Sequence, residues 1–326
     1  MEAVDLRPLS LGELLDRTFR LYRSHFWLFV GIMAIPAAFW LPFNVLILGF
    51  QGSMMSSSLA APDQPPTLPN VGLIAGMIAG GLALLFVAAI VYSIAVAAAS
   101  SAVSEVYLGR SITVRGSYTR LRGRFWKLMG IVGNILLRVV GLMAVVMGVL
   151  VGGVFGIGLL FSGGRGNPIF AAFLAIIILI AYVGGLVLCV YLWLRYAVSI
   201  PVLMIENPGV LATIRRSVFL TRGRRGQIFL TLLVAMIIAY AGIFVFQIPF
   251  TIAMMVSMSQ GHWSQPLAFA SAVAGAVGSS LTGPISMIAI VLLYYDSRIR
   301  KEAFDLQFMM ASLDNPAPPA GNVAPA

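Results

Sequence analysis

Of 326 residues, 60% are hydrophobic and only 10% charged, and mean hydropathy is +0.97. A soluble domain of this size carries about 25% charged residues, so a soluble globular fold is excluded. The net charge of +10 would suit nucleic acid, but the basic residues lie in short clusters between long apolar blocks, where membrane proteins place their cytoplasmic anchors. The single cysteine, Cys189, lies inside an apolar block, so an intrachain disulfide is excluded.

In chain order, the first 23 residues mix acids with four arginines and lack an apolar h-region, so no cleaved signal peptide is expected and the first apolar block serves as an uncleaved anchor. Ser10 and Glu13 have the spacing of a capping box. Glu13 with Arg17 and Asp16 with Arg20 supply i,i+4 pairs. Six apolar blocks then read as spans: Trp27 to Phe50, Val71 to Val103, Leu128 to Phe161, Ile169 to Ile200, Ile228 to Met258, and Leu267 to Tyr295. Several exceed the roughly 20 residues that cross a bilayer, so their ends must tilt or project. The tail 312–326, rich in Pro and Ala, is expected to be disordered.

Orientation follows from Lys and Arg. Eighteen of the 21 fall in the N-terminal segment, the second loop, the fourth loop and the C-terminal end, and the opposite loops hold only Arg165. The positive-inside rule then places both termini in the cytoplasm.

The basic loops also repeat with a period of about 100 residues. RTFRLYRSHFW from Arg17, GSYTRLRGRFW from Gly116 and RSVFLTRGRRG from Arg216 align in register: Thr18, Phe19, Arg23; Ser117, Tyr118, Arg122; Ser217, Val218, Arg222. Leu15, Phe19, Tyr22 and Phe26 correspond to Val114, Tyr118, Leu121 and Phe125, and to Ile214, Val218 and Thr221. Spacings of four, three and four put each set on one helical face. Each copy therefore reads as an interfacial amphipathic helix with arginines toward anionic lipid. Asn207 is the expected N-cap of the third, with Pro208 at its first helical position. The fold expected is all-α: a membrane bundle of about six spans in a single domain, 1–311. It comprises three tandem units (approximately 1–103, 104–204 and 205–305), parallel about the membrane normal.

RPLSLGELLDR (Arg7 to Arg17) and LLYYDSRIRKEAFDL (Leu292 to Leu306), with the arginine-rich loops between them, resemble a bacterial family labelled the membrane domain of glycerophosphoryl diester phosphodiesterase. The resemblance runs from residue 6 to about 308. It implies a multi-pass fold in the bacterial inner membrane. Because these residues include no phosphodiesterase barrel, it implies little about an activity.

Catalytic chemistry finds few materials. A metal-dependent phosphodiesterase needs His and several carboxylates on one ion. His25 and His262 fall on opposite sides of the membrane in this topology, and the outer loops offer a single acid, Asp63. Cys189 has no partner histidine, and no G-x-S-x-G elbow occurs. Ser279, Ser280 and Thr282 read as hydroxyls bonding their own helix or gluing a neighbour, and GGRGNP at 163–168 reads as a turn. Gly72, Gly76, Gly80 and then Gly148, Gly152, Gly156 recur at every fourth residue, a pattern expected to bring spans two and three close together. Pro36, Pro42, Pro249 and Pro284 interrupt spans one, five and six.

Charges inside apolar blocks cost about 2.5 to 3.5 kcal/mol and so point to function. Arg138 is expected to snorkel. Arg195 and Asp296, at the inner ends of spans four and six, are expected to pair. The expected function is a non-enzymatic, cofactor-free inner-membrane accessory or scaffold that engages anionic lipid, or a protein partner, with Arg23, Arg122, Arg124, Arg222 and Arg224 as lipid contacts. The alternative is a transporter or channel for a small or lipid-like molecule through the centre of the repeats, near Gln247, Asn134 and Arg195.

Overall fold

A computed structural model describes residues 9–60, 71–107, 110–162 and 167–302. Ten helices occur among them: α1 (Leu11–Ser24), α2 (Phe26–Ala60), α3 (Val71–Tyr107), α4 (Val114–Thr119), α5 (Phe125–Ser162), α6 (Pro168–Tyr196), α7 (Ser199–Glu206), α8 (Val210–Thr221), α9 (Arg225–Ser259) and α10 (Gln265–Glu302). Six stretches are long and apolar enough to cross a bilayer: α2, α3, α5, α6 with α7, α9 and α10. The chain is a multi-pass membrane protein. In lipid every backbone polar group needs an internal partner, and helices alone supply that within one segment.

The capping box forms as expected. The Glu13 amide donates to Ser10 Oγ at 3.3 Å, and the Ser10 amide donates to Glu13 Oε2 at 2.8 Å. The helix in the second loop is shorter than expected, with six residues: it contains Gly116 and gives way to a turn that holds Gly123, and glycine disfavours helix. The third surface helix also starts later than expected. Asn207 ends α7 in the left-handed conformation at φ 51° and Gly209 caps α8. Pro208 disfavours an α conformation in the residue before it, and asparagine tolerates the left-handed one.

The centre is packed by α3 and α10, whose Ala95–Ala99 and Met287–Leu293 segments are buried almost throughout. Small side chains on α3 let α10 approach, and van der Waals packing is what holds helices together where lipid is as apolar as the core. α10 lies between α9 and α2 and reaches α1 and α3. α5 and α6 form a hairpin whose faces stay largely exposed, as at Val145, Phe155, Phe173 and Val183.

The expected glycine seam is not at its expected place. Gly80, Gly148, Gly152 and Gly156 have no neighbouring atoms within 4 Å of a Cβ position, while Gly72 and Gly76 lie where surroundings are not described. Close approach within the α5–α6 hairpin occurs at Gly153, against Ile178, and at Gly185, against Val146. A fourth-residue spacing defines a stripe but not the direction it faces. The tail 312–326, Asp63, and Gly163 to Gly166 of the GGRGNP turn lie outside the described residues.

Candidate functional site

The two described ends of the chain meet at the basic end of the bundle. Asp296 on α10, fully buried, accepts from the Leu9 amide at 2.9 Å. Its second oxygen accepts from Arg224 at 2.8 Å, and Arg300 donates to the first at 3.0 Å. Arg300 also donates to the Leu9 carbonyl at 2.6 Å. This corrects the expected Arg195–Asp296 pair, because two other guanidiniums and a backbone amide already occupy the carboxylate. Arg195 Nε instead is buried with no hydrogen-bond partner among the described residues.

A second network fixes α8 to α10. Arg216 donates to Glu206 at 2.9 Å and pairs with Glu302. Tyr294 Oη donates to Glu206 at 2.8 Å, and Arg298 reaches Glu302 at 3.2 Å. Burial works against the Arg216 charge, yet the two carboxylates outweigh it and hold its pKa above the ordinary value. Lys301 donates to the terminal carbonyls of α8, including Arg222 O at 2.8 Å. Burial pushes the Tyr118 phenol up to about 12, and its hydroxyl donates to Ile32 O at 2.7 Å.

The five expected lipid contacts divide. Arg23, Arg122 and Arg222 are exposed. Arg124 donates to Met204 O, and Arg224 is held by Asp296 and Gln227, so both are spent on protein contacts. Trp27 and Trp126 are 81% and 83% exposed beside these loops, where amphipathic rings suit a membrane boundary.

Toward the other end, α2, α3, α9 and α10 separate around a cleft of about 470 Å³, within the range of small-molecule sites. Its polar lining is Asn44, Gln51, Tyr92, Gln247, Ser271 and Ser279; Met33, Ala37, Trp40, Ile47 and Leu48 supply the apolar part. Gly275 makes room for the Gln247 amide, which lies directly against it. Asn44 donates to its own helix at Trp40 O, 3.1 Å, and Ser279 to Ala276 O, 3.0 Å. Pro36 of α2 lines the cleft, and Pro42 of α2 and Pro249 of α9 lie in helices that border it. The polar groups are neutral and lie along membrane-spanning helices, where a polar group without a partner costs free energy. Water or a ligand polar group in the cleft relieves that cost.

The chain matches no family model, no curated protein and no solved structure.

Gln247 belonged to the expected transport route, but the cleft lies to one side of the packed α3–α10 centre rather than through it. Asn134 Oδ1 is instead buried without a partner among the described residues. Sequence reasoning missed Asn44, Gln51, Tyr92 and Ser271. A signal was present: Asn44 and Gln51 are seven apart and Ser271, Gly275 and Ser279 four apart, each set on one helical face. Ser279, Ser280 and Thr282 bond their own helix as expected, and Thr282 also donates to Ala239 O of α9 at 2.8 Å. His25 and His262 lie at opposite ends of the bundle, and no group of three His, Cys, Asp or Glu side chains converges among the described residues.

Proposed function

We propose that this membrane protein binds a small amphiphilic, lipid-like molecule in the cleft between α2, α3, α9 and α10 and carries it within the bilayer, without catalysing a reaction. The observation that carries this reading is the cleft: neutral amides and hydroxyls gathered at membrane depth beside an apolar wall. Such a lining fits a ligand with a neutral, hydroxyl- or amide-bearing head and an apolar body. Proteoliposomes carrying the chain should move a lipid analogue with a neutral polyhydroxyl head between leaflets. Ser279→Trp, which fills the cleft, should abolish that movement while leaving the protein folded; equal movement by both would refute the reading.

A second reading, an accessory protein seated on anionic lipid, is favoured by the exposure of Arg23, Arg122 and Arg222 at equivalent loop positions. The threefold repetition belongs to this proposal as well. Its support is register: α2, α5 and α9 begin at the equivalent residues Phe26, Phe125 and Arg225. Thr18, Ser117 and Ser217 are all fully buried, and so are Phe29, Leu128 and Ile228. The proposed location is a bacterial inner membrane with both termini cytoplasmic. The proposed kinship is with the glycerophosphoryl diester phosphodiesterase membrane family, supported by the contact of its two motifs through Leu9, Asp296 and Arg300.

A further inference from the structure

Three arginines that take no part in the networks at Asp296 and Glu206 line one hollow. Arg138 of α5, Arg195 of α6 and Arg215 of α8 surround about 420 Å³ with Leu211, Ile214 and Val218 as the remaining lining. No carboxylate lines it, and none of the three arginines forms an ion pair among the described residues. Two of the side chains, Arg138 and Arg195, are held in place without being neutralised. Arg138 donates to Tyr196 Oη at 2.7 Å, and the Arg138 and Arg195 guanidiniums lie 5.7 and 5.9 Å from the buried Tyr196 ring. Arg195 closes α6, whose C-terminal dipole favours a cation. The Arg195 carbonyl accepts from Ser217 at 3.1 Å and from Thr221 at 3.4 Å, which ties α8 to this position.

Three unpaired positive charges repel one another, and Arg195 Nε is a buried donor with no acceptor among the described residues. Both costs are removed by one kind of ligand, a compact anion with several acceptor oxygens. Planar guanidiniums bind phosphate through paired N–H donors. The remaining lining of the hollow is apolar, and Leu211 within it is exposed, so acyl chains have a surface to lie on.

We infer that Arg138, Arg195 and Arg215 form a phosphate-binding site at the boundary between the α5–α6 hairpin and α8. The phosphate comes from a phospholipid headgroup or from free inorganic phosphate. This site is separate from the cleft and from the exposed Arg23, Arg122 and Arg222, and it stands whether or not the cleft carries a ligand.

The test is native mass spectrometry of the detergent-purified full chain titrated with phosphatidylglycerol, with phosphatidylcholine and with inorganic phosphate. Wild type should retain one equivalent of phosphatidylglycerol in preference to phosphatidylcholine. R138Q/R195Q/R215Q should lose that preference, and R23Q/R122Q/R222Q should keep it. R215Q alone, at an exposed position that leaves the fold undisturbed, should weaken retention about fivefold. Retention of inorganic phosphate alone, lost in the same variants, supports the site and assigns free phosphate as its source. Equal retention of phosphatidylglycerol and of inorganic phosphate by wild type, R215Q and the triple variant would overturn the inference, and so would loss confined to R23Q/R122Q/R222Q.

Discussion

The two ends of the bundle solve the problem of polar groups in opposite ways. At the basic end, charged side chains pair with one another and with backbone ends: Asp296 with Arg224, Arg300 and the Leu9 amide, and Glu206 and Glu302 with Arg216 and Arg298. Around the cleft, the polar side chains are neutral and face open space. A charge desolvated in a fold must be matched by protein, whereas a neutral amide is left open at a cost that a ligand can offset. Paired charge therefore serves the fold at the first region, and neutral polarity serves binding at the second.

The sharpest way to break this comparison is at Asp296. Asp296→Ala leaves the partly exposed Arg224 and Arg300 guanidiniums without their shared carboxylate and the buried Leu9 amide without its acceptor, and should cost about 3 kcal/mol. Unfolding followed in detergent micelles checks it; a loss under about 1 kcal/mol would show that the network is not structural. Next in size is Gly185→Leu in the exposed hairpin, where the new side chain meets Val146 and should cost about 1–3 kcal/mol. The same assay reads it, and no loss would place the α5–α6 seam elsewhere.

Neutralising the exposed Arg23, Arg122 and Arg222 should leave stability unchanged and weaken binding to anionic liposomes by about 1 kcal/mol per charge. Flotation with anionic and zwitterionic vesicles measures this. Asn44→Leu and Gln247→Leu should likewise shift unfolding by less than about 1 kcal/mol, because no buried partner is left unpaired. Both should nevertheless reduce co-purification of an amphiphile; a large stability loss with unchanged co-purification would reverse the roles of the two regions.

The comparison also explains what was legible in the sequence. Span number came from apolar length, because nothing but a helix satisfies its backbone in lipid. The starts at Phe26, Phe125 and Arg225 follow the loop register, since capping and turn residues act locally. The partner of Asp296 did not, because several arginines compete for it and the winner, Arg224, lies far away in the chain. The glycine stripes of α5 were visible, but their direction depends on how the helix is rotated by its neighbours. The cleft residues carried one-face spacing on α2 and α10, yet a cleft exists only where helices diverge, and divergence is a property of several helices at once.

The cleft is an open polar site beside a packed core, and cysteine accessibility tests this directly. In a Cys189→Ala background, Ser279→Cys should react with a hydrophilic maleimide and be protected by a lipid analogue with a neutral polyhydroxyl head, while Ala97→Cys in the packed α3 should stay unreactive. Equal resistance at positions 279 and 97 would contradict the account.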